Sequence, residues 1–383
     1  MTKYQIPYGR QNIQQDDLDA VSEVLKADFL TQGPKVQEFE KKFAEYVGSK
    51  YAVAVSNATA GLHISVATLG LKPGESVITT PITFAASANC VRYLGGQVWF
   101  ADINPDTYLI DLEKTKALIE SKPAGFFKGI IVVDFAGLPV NLEEFKALAD
   151  KHELWLIEDA CHAPGGFFTT KDGIKMKCGE AKLADLSVFS FHPVKHIACG
   201  EGGMVTTNSE ELYKKLSLLR THGITKEDMS KNDGGWFYEM KVLGFNYRLT
   251  DFQSALGITQ LAKNPQGVER RNQIAQKYKD AFAGKIKFQI LPEGAYNAHH
   301  LFVIEVDNRK GLYDYLRAEG IYAQIHYIPL HTLPYYQEIG YQDADLTNAE
   351  QYYTRCLSLP MFPSLTDEEQ DFVIEKVLSF VND

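Results

Sequence analysis

The chain has 383 residues, more than one compact core of ordinary size holds, so a large domain and a smaller one are expected. Its 45% hydrophobic and 23% charged content excludes a disordered chain, no run reaches the roughly 20 apolar residues of a membrane-spanning helix, and the polar start Met1-Thr2-Lys3-Tyr4-Gln5 lacks a signal-peptide core, so a cytoplasmic protein with no membrane partner is expected. A formal charge of −10 argues against nucleic acid as a partner, and five scattered cysteines without a CxxC pair indicate neither a disulfide framework nor a metal centre.

From about residue 35 to 208, short apolar runs alternate with amphipathic stretches. The runs Tyr51–Val55, Ser76–Thr79, Gln97–Ala101, Gly129–Asp134, Leu154–Glu158, Leu186–Phe191 and Gly203–Thr206 are predicted strands, and Gly61–Leu69, Leu112–Ile119 and Leu142–His152 are predicted helices. Such alternation implies an α/β fold with a mostly parallel sheet covered on both faces, its ligand lying beyond the carboxyl ends of the strands. Lys226–Gly235 is polar and rich in breakers and reads as a surface loop; Arg248–Ala262 returns to a helical period. After Asn264 the pattern changes: a helix at Val268–Phe282, a strand at His300–Val306, a helix at Gly311–Glu319, a strand at Tyr322–Tyr327 and a closing helix at Asp367–Val381. Residues 1–264 are therefore expected to form the large domain, N-terminal segment included, and 265–383 a smaller C-terminal α+β domain.

Four features fall just past predicted strands. Ser56-Asn57-Ala58-Thr59-Ala60-Gly61 opens a helix, whose unpaired N–H groups and small residues suit an anion. Thr80-Pro81-Ile82-Thr83-Phe84 brings an aromatic ring that could stack on a planar ligand. Glu158-Asp159-Ala160-Cys161-His162-Ala163 puts two carboxylates at the end of a buried strand, where a cation such as a protonated pyridine nitrogen would justify them. Phe189-Ser190-Phe191-His192-Pro193-Val194-Lys195, followed by Cys199-Gly200-Glu201-Gly202-Gly203, sets a lysine in apolar surroundings, and desolvation yields the neutral amine that a Schiff base requires. Each feature alone has a plainer reading: an ordinary helix cap, a core aromatic, a solvent-facing strand end, a surface lysine. Their order argues for more, since phosphate cradle, stacking aromatic, pyridine-pairing aspartate and lysine follow one another as in a fold-type I pyridoxal-phosphate (PLP) enzyme.

With these stretches, and with Leu30-Thr31-Gln32-Gly33 and Gly244-Phe245-Asn246-Tyr247-Arg248-Leu249, nearly the whole chain resembles the DegT/StrS-type sugar aminotransferases. The resemblance implies the PLP-dependent transferase fold of type I, like aspartate aminotransferase, with PLP as cofactor. It implies Lys195 as the residue linked to PLP, Asp159 on the pyridine nitrogen, His162 on the phenolic oxygen and Phe84 stacked on the ring. Thr59, Ala60 and Ser190 would hold the phosphate, joined by Asn246 from the neighbouring subunit of a homodimer. Tyr8, Thr31, Arg248, His326 and Tyr327 would line the nucleotide-sugar site. The Phe-Ser-Phe-His form of the lysine motif and Gln324-Ile325-His326-Tyr327 resemble the branch that aminates C-4 of a UDP-linked 4-keto-6-deoxy sugar, with L-glutamate as donor, in pseudaminic acid biosynthesis. Asp159 and Lys195 are 36 positions apart, more than the family pattern leads one to expect, and the extra length is assigned to Phe167–Lys182, either a surface loop that leaves the site intact or a segment that contacts the sugar or the partner subunit. Three other readings stay open: a sugar dehydratase of the same fold with a histidine in place of the lysine (His196 is adjacent), a silent regulator, and an amino-acid aminotransferase with an arginine for the α-carboxylate.

Overall fold

The computed structural model describes residues 4–227, 229–231, 233–341 and 345–382. Its main sheet has seven strands in the order Tyr51–Val55, Gly203–Thr207, Leu186–Ser190, Trp155–Asp159, Phe127–Val133, Ser76–Thr79 and Gln97–Phe100. Gly203–Thr207 runs antiparallel to both its neighbours and the other six strands point one way. The apolar runs are continuous because each strand feeds two cores. Val53 and Val55 pack with Leu62, Ile64 and Val188 on one face, while Ala52 and Ala54 face Phe39, Phe43 and Phe189 on the other. The small alanines leave room for those rings; Phe43 meets Phe189 at 4.9 Å and Phe191 at 5.5 Å between centroids. Each fully buried ring contributes about 1.5–3 kcal/mol relative to an exposed one.

The helix Pro34–Val47 begins at Gly33, which has no side chain to cap it. The carboxylate of Asp251 does so from far along the chain, accepting the N–H groups of Gly33 at 2.8 Å and Lys35 at 2.9 Å. A Cβ on Gly33 would lie 2.7 Å from Asp251 Oδ1 and 2.5 Å from Phe29 Cβ, so this approach needs glycine. Thr31, just before it, forms an isolated antiparallel bridge with Thr250.

Asp251–Phe282 is one helix of 32 residues. It joins the two predicted helices Arg248–Ala262 and Val268–Phe282 and runs through the expected division at 264/265. Asn264-Pro265-Gln266-Gly267 reads as a break, since an interior proline removes a hydrogen bond and costs about 3 kcal/mol. The helix continues because the Asn264 amide donates to Tyr46 Oη at 2.8 Å and Pro164 O at 3.0 Å, and because both ends are buried. Leu261 packs in a core with Phe39 and Phe43, while Ile274, Tyr278 and Phe282 belong to the smaller core.

That smaller core covers a three-stranded antiparallel sheet, Lys287–Phe288, Phe302–Glu305 and Cys356–Leu359, with the helices Arg309–Ala318 and Asp367–Asn382. Ile6–Pro7 pairs in parallel with Ile321–Tyr322, and Ile6 is part of this core, so the N-terminal segment packs with the smaller unit. The predicted strand Tyr322–Tyr327 is cut short: beyond Tyr322 only Gln324 pairs, with Ser358, as the chain turns away from the sheet. The extra length after Asp159 forms a hairpin, Phe167–Thr169 with Lys175–Lys177. In the Lys226–Gly235 loop, Asp228 and Asn232 lie outside the described residues. Among the described residues no helix is long and apolar enough to cross a membrane.

Candidate active site

A cavity of about 1020 Å³ opens beyond the carboxyl ends of the parallel strands. Ten of the thirteen residues singled out from the sequence line it: Tyr8, Thr59, Ala60, Phe84, Asp159, His162, Ser190, Lys195, His326 and Tyr327.

Lys195 sits in the turn after Leu186–Ser190, its backbone N–H bonded to His192 O at 2.8 Å. Its Nζ lies 3.4 Å from His300 Nε2. Burial pulls its pKa from 10.5 down to about 8, against the opposing pull of Cys161 and Asp159. The neighbouring His196 turns the other way: its Nε2–H donates to Ala298 O at 2.8 Å, and it does not line the cavity. Lys195 is therefore the residue that faces the cavity, as the aminotransferase reading requires and the dehydratase reading does not.

Asp159 ends the strand Trp155–Asp159 and is 5% exposed. Oδ2 accepts the Ser87 hydroxyl at 2.7 Å and Oδ1 the Cys161 N–H at 3.2 Å. Ser87 is held in turn by Thr83 at 2.8 Å. A buried carboxylate with only neutral donors is short of positive charge, and a protonated pyridine nitrogen meets that need. Phe84 is 62% exposed yet lines the cavity, an aromatic face with room for a planar ring. His162 accepts the Ala136 N–H on Nδ1 at 3.2 Å, and burial keeps its pKa well below the ordinary histidine value. The neutral ring therefore carries its proton on Nε2, 3.3 Å from Tyr327 Oη, where it can donate to a ring oxygen.

At the far end, Asn57 caps the helix Ala58–Thr68 by accepting the Ala60 N–H at 2.8 Å. The N–H groups of Ala58 and Thr59 and the hydroxyls of Thr59 and Ser190 stand at this helix start and can serve a phosphate. Gly203 presses against the same turn, since a Cβ there would lie 2.7 Å from Ala58 N. The residues present thus fit PLP at the ring, at the phosphate and at the amine.

The opposite wall comes from the smaller unit. His326 is buried, its Nδ1 2.9 Å from Ser358 Oγ and its carbonyl accepting Tyr352 O–H at 2.7 Å. Burial, with Lys195 nearby, lowers its pKa to about 3. Tyr8 packs against it at 5.2 Å between centroids.

Thr31, Asn246 and Arg248 do not line this cavity. Thr31 is fixed by its bridge to Thr250. The extended segment around Tyr247 alternates sides: Tyr247 faces the cavity, where its hydroxyl meets His63 Nδ1 at 3.1 Å, while Arg248 lines a separate cavity of about 770 Å³ and Asn246 is exposed. All three therefore stand outside this chain's own cavity; the expectation was a neighbouring subunit's phosphate for Asn246 and the nucleotide-sugar site for Thr31 and Arg248. The hairpin after Asp159 also stays out of the cavity, its Phe167 stacked on Tyr296 at 5.0 Å. Sequence reasoning missed Ser87 and His300. Ser87 lies within the helix Ala86–Tyr93, and His300 precedes a strand, so the search past strand ends did not reach them.

Behind the wall, Asp134, Glu158 and Cys178 lie within 4.8 Å of one another, all buried. Asp134 Oδ1 accepts the Val140 N–H at 2.8 Å and Glu158 Oε2 the Gly179 N–H at 2.9 Å. Burial, then the Glu158 carboxylate beside it, pushes the Asp134 carboxyl well above its ordinary range. A proton shared between the two acids would remove the repulsion and give Asp134 Oδ2, otherwise unpartnered, a hydrogen bond to make. The Asp134 N–H donates to Asp159 O at 3.1 Å, so this pair backs Asp159.

Residues 11–378 match the DegT/DnrJ/EryC1/StrS aminotransferase family. The chain is 38% identical to the spore coat polysaccharide biosynthesis protein SpsC of Bacillus subtilis, over 98% of this chain and 97% of that one. It is 38% identical to the UDP-4-amino-4,6-dideoxy-N-acetyl-beta-L-altrosamine transaminase of Campylobacter jejuni, over 98% and 97%. Among solved structures it is similar to Helicobacter pylori PseC, an aminotransferase involved in the biosynthesis of pseudoaminic acid, with a TM-score of 0.89, 32% identity and coverage of 99% and 100%.

Proposed function

We propose that this chain, which belongs to the DegT/DnrJ/EryC1/StrS aminotransferase family, moves the amino group of L-glutamate to C-4 of a UDP-linked 4-keto-6-deoxy sugar on a route to pseudaminic acid. The observation that carries the reading is one cavity lined by a half-buried lysine with a lowered pKa, a buried carboxylate held only by neutral donors and an open aromatic face. PLP, the cofactor of the family, supplies an electron-withdrawing ring and a carbonyl that amines join. Asp159 would take the pyridine N–H, the Nε2–H of His162 would donate to the ring oxygen, and Phe84 would cover a face of the ring. Thr59 and Ser190 would hold the phosphate. Lys195 would hold the cofactor covalently; when released, its Nζ would take the proton from the amino acid's Cα and later deliver one to the sugar carbon. Proton transfer by a positioned group of this kind contributes about 10²–10⁴-fold.

Two relatives support the sugar: the Campylobacter jejuni altrosamine transaminase, at 38% identity, and Helicobacter pylori PseC, at 32%. Among the described residues, Lys195 is the only lysine or arginine that lines the cavity. Glutamate's two carboxylates and a nucleotide diphosphate call for more donors. Asn246 and Arg248, turned away from this chain's own cavity, suit a homodimer in which each serves the other subunit's site. The five unpaired cysteines suit the reducing cytoplasm. A second reading, amination of a different nucleotide-linked 4-keto sugar (bacillosamine or aminoarabinose type), rests on the equal identity to SpsC.

The test supplies PLP, L-glutamate and a panel of UDP- and dTDP-linked 4-keto-6-deoxy sugars, and balances 2-oxoglutarate against the new amino sugar. Stoichiometric amination of the UDP-linked L-arabino-configured sugar is expected. Amination of another panel member moves the pathway and keeps the chemistry; no 2-oxoglutarate with any sugar sinks the sugar reading.

A further inference from the structure

His300 lines the cavity, touches the reacting amine and has no part in the chemistry above. Its Nε2 is the one side-chain atom among the described residues within hydrogen-bonding distance of Lys195 Nζ, at 3.4 Å. Burial, with Lys195 beside it, holds the imidazole well below its ordinary pKa, so the ring is neutral. A neutral imidazole nitrogen can pair with an amine in either direction, giving an N–H to the lone pair or taking an N–H from the amine.

The ring is itself aimed from three sides. It packs on His162 at 4.3 Å between centroids. The backbone around it is pinned to the large unit by the Leu301 N–H on Ala136 O at 3.2 Å, and braced by the His299 N–H on Asn297 Oδ1 at 2.6 Å. From the long helix, the buried Arg271 grips the carbonyls of His299 at 3.1 Å, His300 at 3.4 Å and Met361 at 2.8 Å. Lys195, by contrast, hangs on a flexible four-carbon stem.

We propose that His300 is a positioning residue for Lys195, its Nε2 holding Nζ in the direction of attack whenever that amine is not joined to a carbonyl carbon. The inference rests on the reading of Lys195 as the residue that joins PLP. In the joining step the Nζ lone pair forms the new C–N bond, and the two amine protons leave with the aldehyde oxygen as water, with no net oxidation or reduction. His300 exchanges no proton in that balance; it decides how often the amine points at the carbon.

The experiment adds PLP to protein stripped of it, quenches with borohydride at intervals, and counts labelled Lys195 by peptide mass spectrometry. Pyridoxamine phosphate, which has no carbonyl and cannot join the lysine, reports non-covalent affinity separately. Three variants divide the roles. His300→Gln carries an amide about where Nε2 lies, His300→Asn carries it about where Nδ1 lies, and His300→Phe keeps the ring without a nitrogen. Phe and Asn are expected to slow labelling by about 10–100-fold, the scale of a misdirected reactant, with pyridoxamine phosphate affinity within about twofold, and Gln to recover to within about threefold of the parent. Equal slowing in all three variants, no slowing in Phe, or a matching loss of pyridoxamine phosphate affinity would each overturn the proposal, leaving His300 as packing. Labelling of the parent protein at a lysine other than Lys195 would instead overturn the reading of the site, and this inference with it.

Discussion

The two walls of the cavity are built on different plans. On the large-sheet side, each side chain is delivered at or just past the carboxyl end of a strand: Thr59 after Tyr51–Val55, Phe84 after Ser76–Thr79, Asp159 and His162 with Trp155–Asp159, Ser190 and Lys195 with Leu186–Ser190. The ladder of the sheet aims them, and no single contact decides the geometry. On the smaller unit's side, the chain has left its sheet. His300, His326 and Tyr327 are aimed by a few buried polar contacts: Arg271 on three carbonyls, Tyr352 on the His326 carbonyl, Ser358 on its ring. A group of that kind left unsatisfied costs about 1–3 kcal/mol. Substitutions in the first wall should therefore cost chemistry and spare the fold, and those in the second should cost both.

The largest effect breaks the first wall alone. Lys195→Ala and Lys195→Arg are each expected to abolish turnover, read as 2-oxoglutarate formed, while the unfolding midpoint stays close to that of the parent. Near-parental activity in either variant sinks the assignment of Lys195; a large loss of stability sinks the contrast between the walls.

Arg271→Met breaks the second wall. It leaves three carbonyls with one donor fewer in a buried place and is expected to cost about 2–4 kcal/mol in denaturant unfolding, with slower joining of PLP to Lys195 as His300 loses its aim. A cost below about 1 kcal/mol would mean that water or a repacked side chain satisfies those carbonyls.

The same contrast explains what could be read in advance. Strands buried on both faces appear as unbroken apolar runs, so the large sheet and the places just past its strands were legible, and Lys195 and Asp159 with them. Arg271 carried no such mark, because a buried arginine bonded to backbone carbonyls looks, in sequence, like any cation on a helix. His300 sits before its strand, where the strand-end rule does not look. The helix that continues through Pro265 and the pairing of Ile6 with Ile321 depend on contacts between residues far apart in the chain. The alternation that turns Tyr247 inward and Arg248 outward was available to period-two counting, but a family motif read as a block hides it.

Asp134 sharpens the comparison from behind the first wall. Its folded pKa is raised, so the folded chain holds the proton more tightly than the unfolded chain does. That contribution is complete below the ordinary carboxylate pKa of about 4 and is lost as pH rises through the folded value. Asp134→Asn cannot ionise, keeps an oxygen for the Val140 N–H and gains an amide to donate to Glu158. The variant is expected to match the parent in acid and to melt about 1 °C higher in mildly alkaline buffer, the scale of roughly 1 kcal/mol for a chain of this length. An equal or lower melting point at every pH would mean that the acid pair does not share a proton.

The smallest effect tests whether the periphery belongs to either wall. The hairpin Phe167–Lys177 carries the extra length between Asp159 and Lys195, and Lys171, Asp172 and Ile174 at its end are exposed. It is fastened to the body at its base, by Phe167 stacked on Tyr296 at 5.0 Å and by the Thr169 hydroxyl on Gly294 O at 3.0 Å, and nearer its end by the Lys171 N–H on Glu143 Oε2 at 3.0 Å and an exposed Lys171–Glu144 ion pair. Ile174→Ser together with Lys171→Ser touches neither fastening at the base, gives up only the exposed ion pair, and is expected to change stability by less than about 0.5 kcal/mol, with turnover unchanged. Phe167→Ala removes the stacked pair and is expected to cost about 0.5–1.5 kcal/mol beyond its lost burial, again without slowing the joining of PLP to Lys195. If the double variant instead loses turnover while its stability holds, the tip reaches substrate or a second subunit, and the cavity has a third wall that one chain alone does not contain.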